Sequence, residues 1–180
     1  VMGDSLSAEY GIARDHGWAA LLTERLSARK FRWRVVNASV SGETTSGGVS
    51  RLPALLEQHR PAIVILELGA NDGLRGLPVA QMKRNLAQMI AQAKDKSARV
   101  LLVGMRIPPN YGRSYTDAFA ASYDALANET RVAFVPFLFE GFADQMALFQ
   151  ADRLHPTEAA QAKMLDNLWP RLEPMLKARR

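Results

Sequence analysis

From Ala62 to Leu68 the chain reads Ala-Ile-Val-Ile-Leu-Glu-Leu, a near-continuous apolar run that ends in Gly69-Ala70-Asn71-Asp72-Gly73. A strand with one wet face alternates apolar and polar residues. A run like this one is buried on both faces and belongs at the centre of a parallel sheet. Parallel strands need long crossovers between them, usually helices. The rest of the sequence supplies that alternation. Strand signals lie at the opening Val1-Met2, at Arg32 to Asn37 around Val35 and Val36, at Arg99 to Val103 and at Val132 to Val135. Between them, apolar residues recur at helical spacing in three groups: Trp18, Leu21, Leu22 and Leu26; Leu52, Leu55 and Leu56; Val79, Met82, Leu86, Met89, Ile90 and Ala93.

Punctuation sets the boundaries. Pro53 stands early in the second of these helices or at a break in it, and Pro61 closes it. Asn37 to Gly48 is small and polar and reads as a loop. Ser114-Tyr115-Thr116-Asp117 has the form of a capping box for a helix towards Asn128, and a last helix begins near Thr157, with Pro170 and Pro174 kinking or ending it. Phe137 to Gln150 is apolar and aromatic without a clear period, and reads as a loop with a short helix walling a pocket. Five strand signals separated by helices predict a doubly wound α/β/α sandwich in one domain over residues 1–180.

Composition narrows the chemistry. With no cysteine, disulfides and thiolate metal sites are excluded, and three isolated histidines make a poor metal site. The net charge of +5 is scattered; only Lys177-Ala178-Arg179-Arg180 forms a basic run, and a frayed, solvated helix end explains it. No apolar run approaches the ~20 residues that span a bilayer. Neither a G-x-x-x-x-G-K-[ST] nor a G-x-G-x-x-G sequence occurs, which removes the support for a nucleotide-binding module. Val1 stands where a start methionine would, so the expectation is that upstream sequence, such as a secretory signal, is missing.

Open α/β sheets bind ligands at the carboxyl ends of their strands. At the end of the first strand stands Gly3-Asp4-Ser5-Leu6-Ser7, where glycine allows a tight turn and the segment after Ser5 can begin a helix. Alone, Gly-Asp-Ser reads equally as a turn. A serine hydroxyl becomes a nucleophile only with a base and an acid that orients it. Asp152-Arg153-Leu154-His155 supplies both, three residues apart. For the oxyanion that acyl transfer creates, the candidate donors are the Ser5 amide, the Gly42 amide and the Asn71 side chain. Taken singly, Gly42 and Asn71 read as ordinary turn residues. Asp4 has a structural role rather than that of the triad acid, and His16 and His59 read as surface or helix-end residues. Ile107, Pro108, Pro109 and Tyr111 form either one wall of an acyl groove or a rigid surface loop. Arg75, Arg106, Arg113 and Arg153 read as solvated, with a substrate phosphate as the alternative.

Together the blocks Gly3 to Ala8, Asn37 to Gly42, Gly69 to Gly76 and Pro109 to Gly112, with His155, run through nearly the whole chain. In them the sequence resembles the GDSL or SGNH hydrolase family, especially its bacterial thioesterase I, lysophospholipase and arylesterase branch. The resemblance implies a flavodoxin-like, five-stranded parallel sheet of order 2-1-3-4-5 and a catalytic triad of Ser5, Asp152 and His155. It also implies oxyanion donors at Gly42 and Asn71, and hydrolysis of aryl esters, acyl-CoA or lysophospholipids through an acyl-enzyme. No metal and no cofactor is expected. The protein is expected to be a periplasmic or secreted monomer acting on a small-molecule ester or thioester, with no nucleic-acid partner and no stable membrane insertion. Carbohydrate acetylesterase is the competing activity within the fold. Two positions depart from the family branch: Arg153, where glycine is usual, and Glu9, where a small residue is usual. They put in question the backbone and charge near His155 and the shape of the entrance near Ser5.

Overall fold

The computed structural model describes residues 1–178. Four parallel strands form one sheet in the order β1 (Met2–Gly3), β2 (Ile63–Glu67), β3 (Arg99–Val103), β4 (Ala133–Val135). Met2 lies opposite Leu66, Ile63 opposite Arg99 and Leu101 opposite Ala133. The apolar run becomes β2, and its partner β3 is buried from Val100 to Val103, as central strands must be. Helices α1 (Trp18–Ala28) and α6 (Gln161–Lys177) pack together over one face; α2 (Thr45–His59), α4 (Val79–Asp95) and α5 (Arg113–Thr130) pack side by side over the other. Trp18 and Leu22 of α1 and Met164 and Leu168 of α6 fill one core layer, and Leu86 and Met89 of α4 with Phe119 and Tyr123 of α5 fill the second.

The sheet has four strands, not the five expected. Residues 32–37 form no strand, and the chain is bonded to β1 only from Val36 to Val40. Val1 donates to the Val36 carbonyl (2.7 Å), Ala38 N–H to Val1 (3.0 Å) and Val40 N–H to Gly3 (3.1 Å). The rail that β1 offers is two residues long, and Arg32 and Arg34 alternate into solvent on this outer edge. The order of segments across the sheet is otherwise the expected one.

Other boundaries move for local reasons. Helix α2 begins at Thr45, inside the expected loop, because the Asp72 carboxylate accepts from Thr45 N–H (2.9 Å) and Thr45 Oγ1 (2.6 Å). That carboxylate meets the free N–H and hydroxyl at the helix start. Pro53 lies within the helix. Gly69-Ala70-Asn71-Asp72-Gly73 is not an open turn: Ala70–Leu74 coils into the short helix α3. The expected capping box at Ser114 does not form; α5 starts at Arg113, two residues earlier than that cap implies, after Gly112 and with no side-chain cap. A 3-10 turn, Glu158–Ala160, leads into α6, which continues through Pro170 and Pro174. Lys177 pairs with Glu173 at 3.0 Å, while Arg179 and Arg180 of the basic run lie outside the described residues.

Candidate active site

Ser5 follows β1 directly. Gly3 is required there for space rather than for an unusual backbone angle: a Cβ would fall 2.7 Å from both Glu67 Oε2 and Ser7 Oγ. The expected helix after Ser5 amounts to one turn. Ser7 and Ala8 N–H donate to the Asp4 carbonyl (3.2 and 2.9 Å), and Glu9, with φ of 60°, ends it. The Glu9 carboxylate turns towards α1, accepting from Asp15 N–H (3.0 Å) and Gly17 N–H (2.9 Å). Its side chain therefore props the loop before α1 and does not line the cavity at Ser5.

The acid and the base arrive on one tight loop ahead of α6. Asp152 Oδ1 accepts from the N–H groups of Leu154 (2.9 Å) and His155 (3.0 Å), and Asp152 Oδ2 lies 2.6 Å from His155 Nδ1. Burial works to raise the Asp152 carboxyl, but the two backbone bonds and the imidazole outweigh it and hold it at about 2. Across the ring, His155 Nε2 lies 2.9 Å from Ser5 Oγ. With Asp152 ionised, Nδ1 carries the proton and Nε2 is left as the acceptor for the serine hydroxyl. Arg153 adopts φ of 58° on this loop, the left-handed conformation that glycine enters without strain. The arginine keeps the backbone a glycine would give.

Two contacts here have no sequence signal, since nothing near Ser5 in the chain points to residue 150. Gln150 Nε2 donates to the Tyr10 carbonyl (2.8 Å) and to the Pro156 carbonyl (3.1 Å), joining the serine loop to the histidine loop. The Tyr10 ring lies against the His155 ring with centroids 4.4 Å apart.

Asn71 sits on α3 and donates from Nδ2 to Asp4 Oδ2 at 2.9 Å. It shares a cavity of about 350 Å³ with Ser5 and His155. Gly42, with φ of 79°, is not among the residues lining that cavity; its carbonyl accepts from Arg75 Nη2 (2.9 Å), which ties it to the end of α3. Asp4 is fully buried and holds Asn71 and the Leu6 N–H, while the carboxylate bonded to the His155 ring is Asp152. His16 stands on the surface beside Glu158, and His59 ends α2.

Met105, Ile107, Phe137, Phe139 and Phe149 make the cavity wall mostly apolar. Phe139 packs on Phe142 (5.4 Å) and Phe149 (5.5 Å), so the aperiodic segment 137–150 does wall a pocket, with a 3-10 turn at Met146–Leu148. Of the proline loop, Ile107, Pro108 and Pro109 face the cavity, while the Tyr111 hydroxyl donates to the Leu74 carbonyl at 2.8 Å and ties the loop to α3. Arg106 and Arg153 are at the cavity; the Arg106 guanidinium lies 4.7 Å from the centre of the Phe137 ring. Arg113 reaches Asp117 at 3.5 Å on the surface. Among the described residues no group of three or more His, Asp or Glu could hold a metal ion, and no helix is long and apolar enough to cross a membrane.

The chain is 49% identical over 176 residues to the esterase TesA of Pseudomonas aeruginosa, covering 98% of this chain and 88% of that one. It is 42% identical over 176 residues to the thioesterase 1/protease 1/lysophospholipase L1 of Escherichia coli, covering 98% and 83%. The crystal structure of the psychrotrophic esterase EstA from Pseudoalteromonas, inhibited by monoethylphosphonate, superposes with a TM-score of 0.93 at 38% identity, over 98% of this chain and 97% of EstA. Residues 1–163 match the pattern of the GDSL-like lipase/acylhydrolase family. The chain belongs to the GDSL-like lipase/acylhydrolase family and is a hydrolase.

Proposed function

We propose that the protein hydrolyses carboxylic esters and thioesters through an acyl-enzyme on Ser5. The observation that carries this reading is the unbroken chain from Ser5 Oγ to His155 Nε2 (2.9 Å) and from His155 Nδ1 to Asp152 Oδ2 (2.6 Å). Ser5 Oγ attacks the acyl carbonyl carbon as its proton passes to His155 Nε2. Asp152 steadies the imidazolium through Nδ1–H without taking the proton. The carbonyl oxygen, now an oxyanion, is received by the Ser5 N–H and Asn71 Nδ2, with the Gly42 N–H, outside the cavity lining on a loop tied to α3 through Arg75, as the third donor. When the tetrahedral adduct collapses, His155 Nε2–H protonates the departing alkoxide or thiolate. A water, deprotonated by the same nitrogen, then releases the acid and restores Ser5.

The apolar cavity beside Ser5 suits an acyl chain, with aryl esters, acyl-CoA and lysophospholipids as the substrate class; the words esterase, thioesterase and lysophospholipase in the names of the Pseudomonas and Escherichia relatives support an ester, thioester or lysophospholipid substrate. A small, polar acetylated sugar finds few partners on that wall, which disfavours a carbohydrate acetylesterase. Action as a monomer in the periplasm or outside the cell belongs to the same reading. Ser5→Ala tests the mechanism: hydrolysis of a short p-nitrophenyl ester falls to the uncatalysed background, and retained turnover excludes Ser5 as nucleophile.

A further inference from the structure

We propose that Asp4 is a positioning residue for Asn71, fixing which end of the Asn71 amide faces the reacting carbonyl oxygen. The inference rests on the reading of Asn71 as an oxyanion donor. A carboxamide has nearly the same shape whichever way it points, so packing alone does not decide between its NH2 and its oxygen. The wrong choice would set a carbonyl oxygen against a developing negative charge.

Asp4 settles the choice electrostatically. Its carboxylate has no exposure to solvent, and each of its oxygens has a separate partner: Oδ1 accepts from Leu6 N–H at 3.0 Å and Oδ2 from Asn71 Nδ2 at 2.9 Å. An ionised carboxylate accepts only, so the NH2 must face it. One of the two amide hydrogens is then committed to Asp4 and the other is left for substrate. Burial pushes the Asp4 carboxyl up to about 6, against the opposing bonds from Leu6 and Asn71, and it is ionised in mildly alkaline solution.

The backbone around Asn71 is held by other contacts. Asp72 is bonded to Thr45, and Tyr111 to the Leu74 carbonyl. Below the serine turn, Ser7 Oγ donates to Glu67 Oε2 at 2.7 Å. What Asp4 adds is the sense of one amide.

The isosteric Asp4→Asn variant isolates that contribution, because a carboxamide has one oxygen where the carboxylate has two. Whichever way it turns, an NH2 meets either Leu6 N–H or the Asn71 NH2, and the Asn71 amide loses its fixed orientation. The test is a double-mutant cycle with p-nitrophenyl butyrate at pH 8, using Asp4→Asn, Asn71→Ala and both together. Asp4→Asn is expected to lower kcat about tenfold or more with KM changed less than about twofold, and the double variant to be no slower than Asn71→Ala alone. Equal proportional losses from Asp4→Asn in the two backgrounds overturn the proposal, since Asp4 would then act independently of Asn71. An Asn71→Ala variant with unchanged kcat overturns the oxyanion reading itself, a separate result. A measurement on the unaltered protein needs no Asp4 variant to fold. Of the two side-chain NH2 protons of Asn71, assigned by their loss in Asn71→Ala, one should lie well downfield of the ordinary asparagine range and exchange slowly with solvent. Both protons at ordinary asparagine shifts with fast exchange contradict the proposal.

Discussion

The Asp152 carboxylate receives the backbone N–H of His155 at 3.0 Å and also meets that residue's ring nitrogen at 2.6 Å, so His155 is held by its acid at two points. Main chain and ring are fixed together, and the imidazole keeps one rotation and one tautomer. In Asp152→Asn an amide NH2 faces Nδ1 and turns it into an acceptor, leaving a proton on Nε2 where the serine proton should go. The expected result is a kcat lower by about 10³-fold or more, with circular dichroism and melting temperature nearly unchanged. Steady-state kinetics on a p-nitrophenyl ester measure this, and a loss of less than tenfold removes Asp152 from the orienting role.

Asn71→Ala removes a donor whose value is greatest once the carbonyl oxygen carries charge. The expected loss is about 10²–10³-fold in kcat with KM little altered. A rise in KM at constant kcat would instead mean that Asn71 binds substrate and transition state alike.

The residues of the candidate site were legible because they come in short local blocks. Asp152 and His155 stand three apart in the sequence and share a loop, and Ser5 and Asn71 each follow an apolar strand run. What escaped was long-range or depended on neighbours. The Gln150 bridge to Tyr10 spans 140 residues, and no local pattern encodes it. The start of α2 at Thr45 is set by Asp72, on the far side of β2, and the weak edge at residues 32–37 reflects how little of β1 there is to pair with. The Asp4 contact with Asn71 crosses between two strand ends that only the sheet order brings together.

Arg153 departs from the glycine usual in its family branch, yet its φ of 58° is the angle a glycine would take up freely. A left-handed arginine costs about 1–2 kcal/mol in strain, partly offset by the greater chain entropy that glycine loses on folding. Arg153→Gly should therefore stabilise the protein by about 0.5–1 kcal/mol, and thermal unfolding at neutral pH measures it. A lower melting temperature would mean that the arginine side chain contributes more than its backbone costs.

Glu67 lies fully buried beneath the serine turn, and burial first, then the nearby Asp4 charge, raise its carboxyl well above the usual carboxylate range. Above pH 4.5 the unfolded chain releases this proton while the folded protein keeps it, so the folded state binds more protons. Stability is then greatest below that pH and falls as pH rises towards the folded-state value. Glu67→Gln, which carries no such proton, should show a flatter melting temperature between pH 5 and pH 8 than the unaltered protein. Parallel curves for the two proteins would contradict this.

The most direct test of Ser5 as a nucleophile activated by His155 is covalent labelling with a fluorophosphonate, located by mass spectrometry of the digested protein. The peptide containing Ser5 is expected to carry one adduct in step with loss of esterase activity, with no adduct in Ser5→Ala and much slower labelling in His155→Ala. An adduct on a different residue, or full activity in protein labelled at Ser5, would contradict the account.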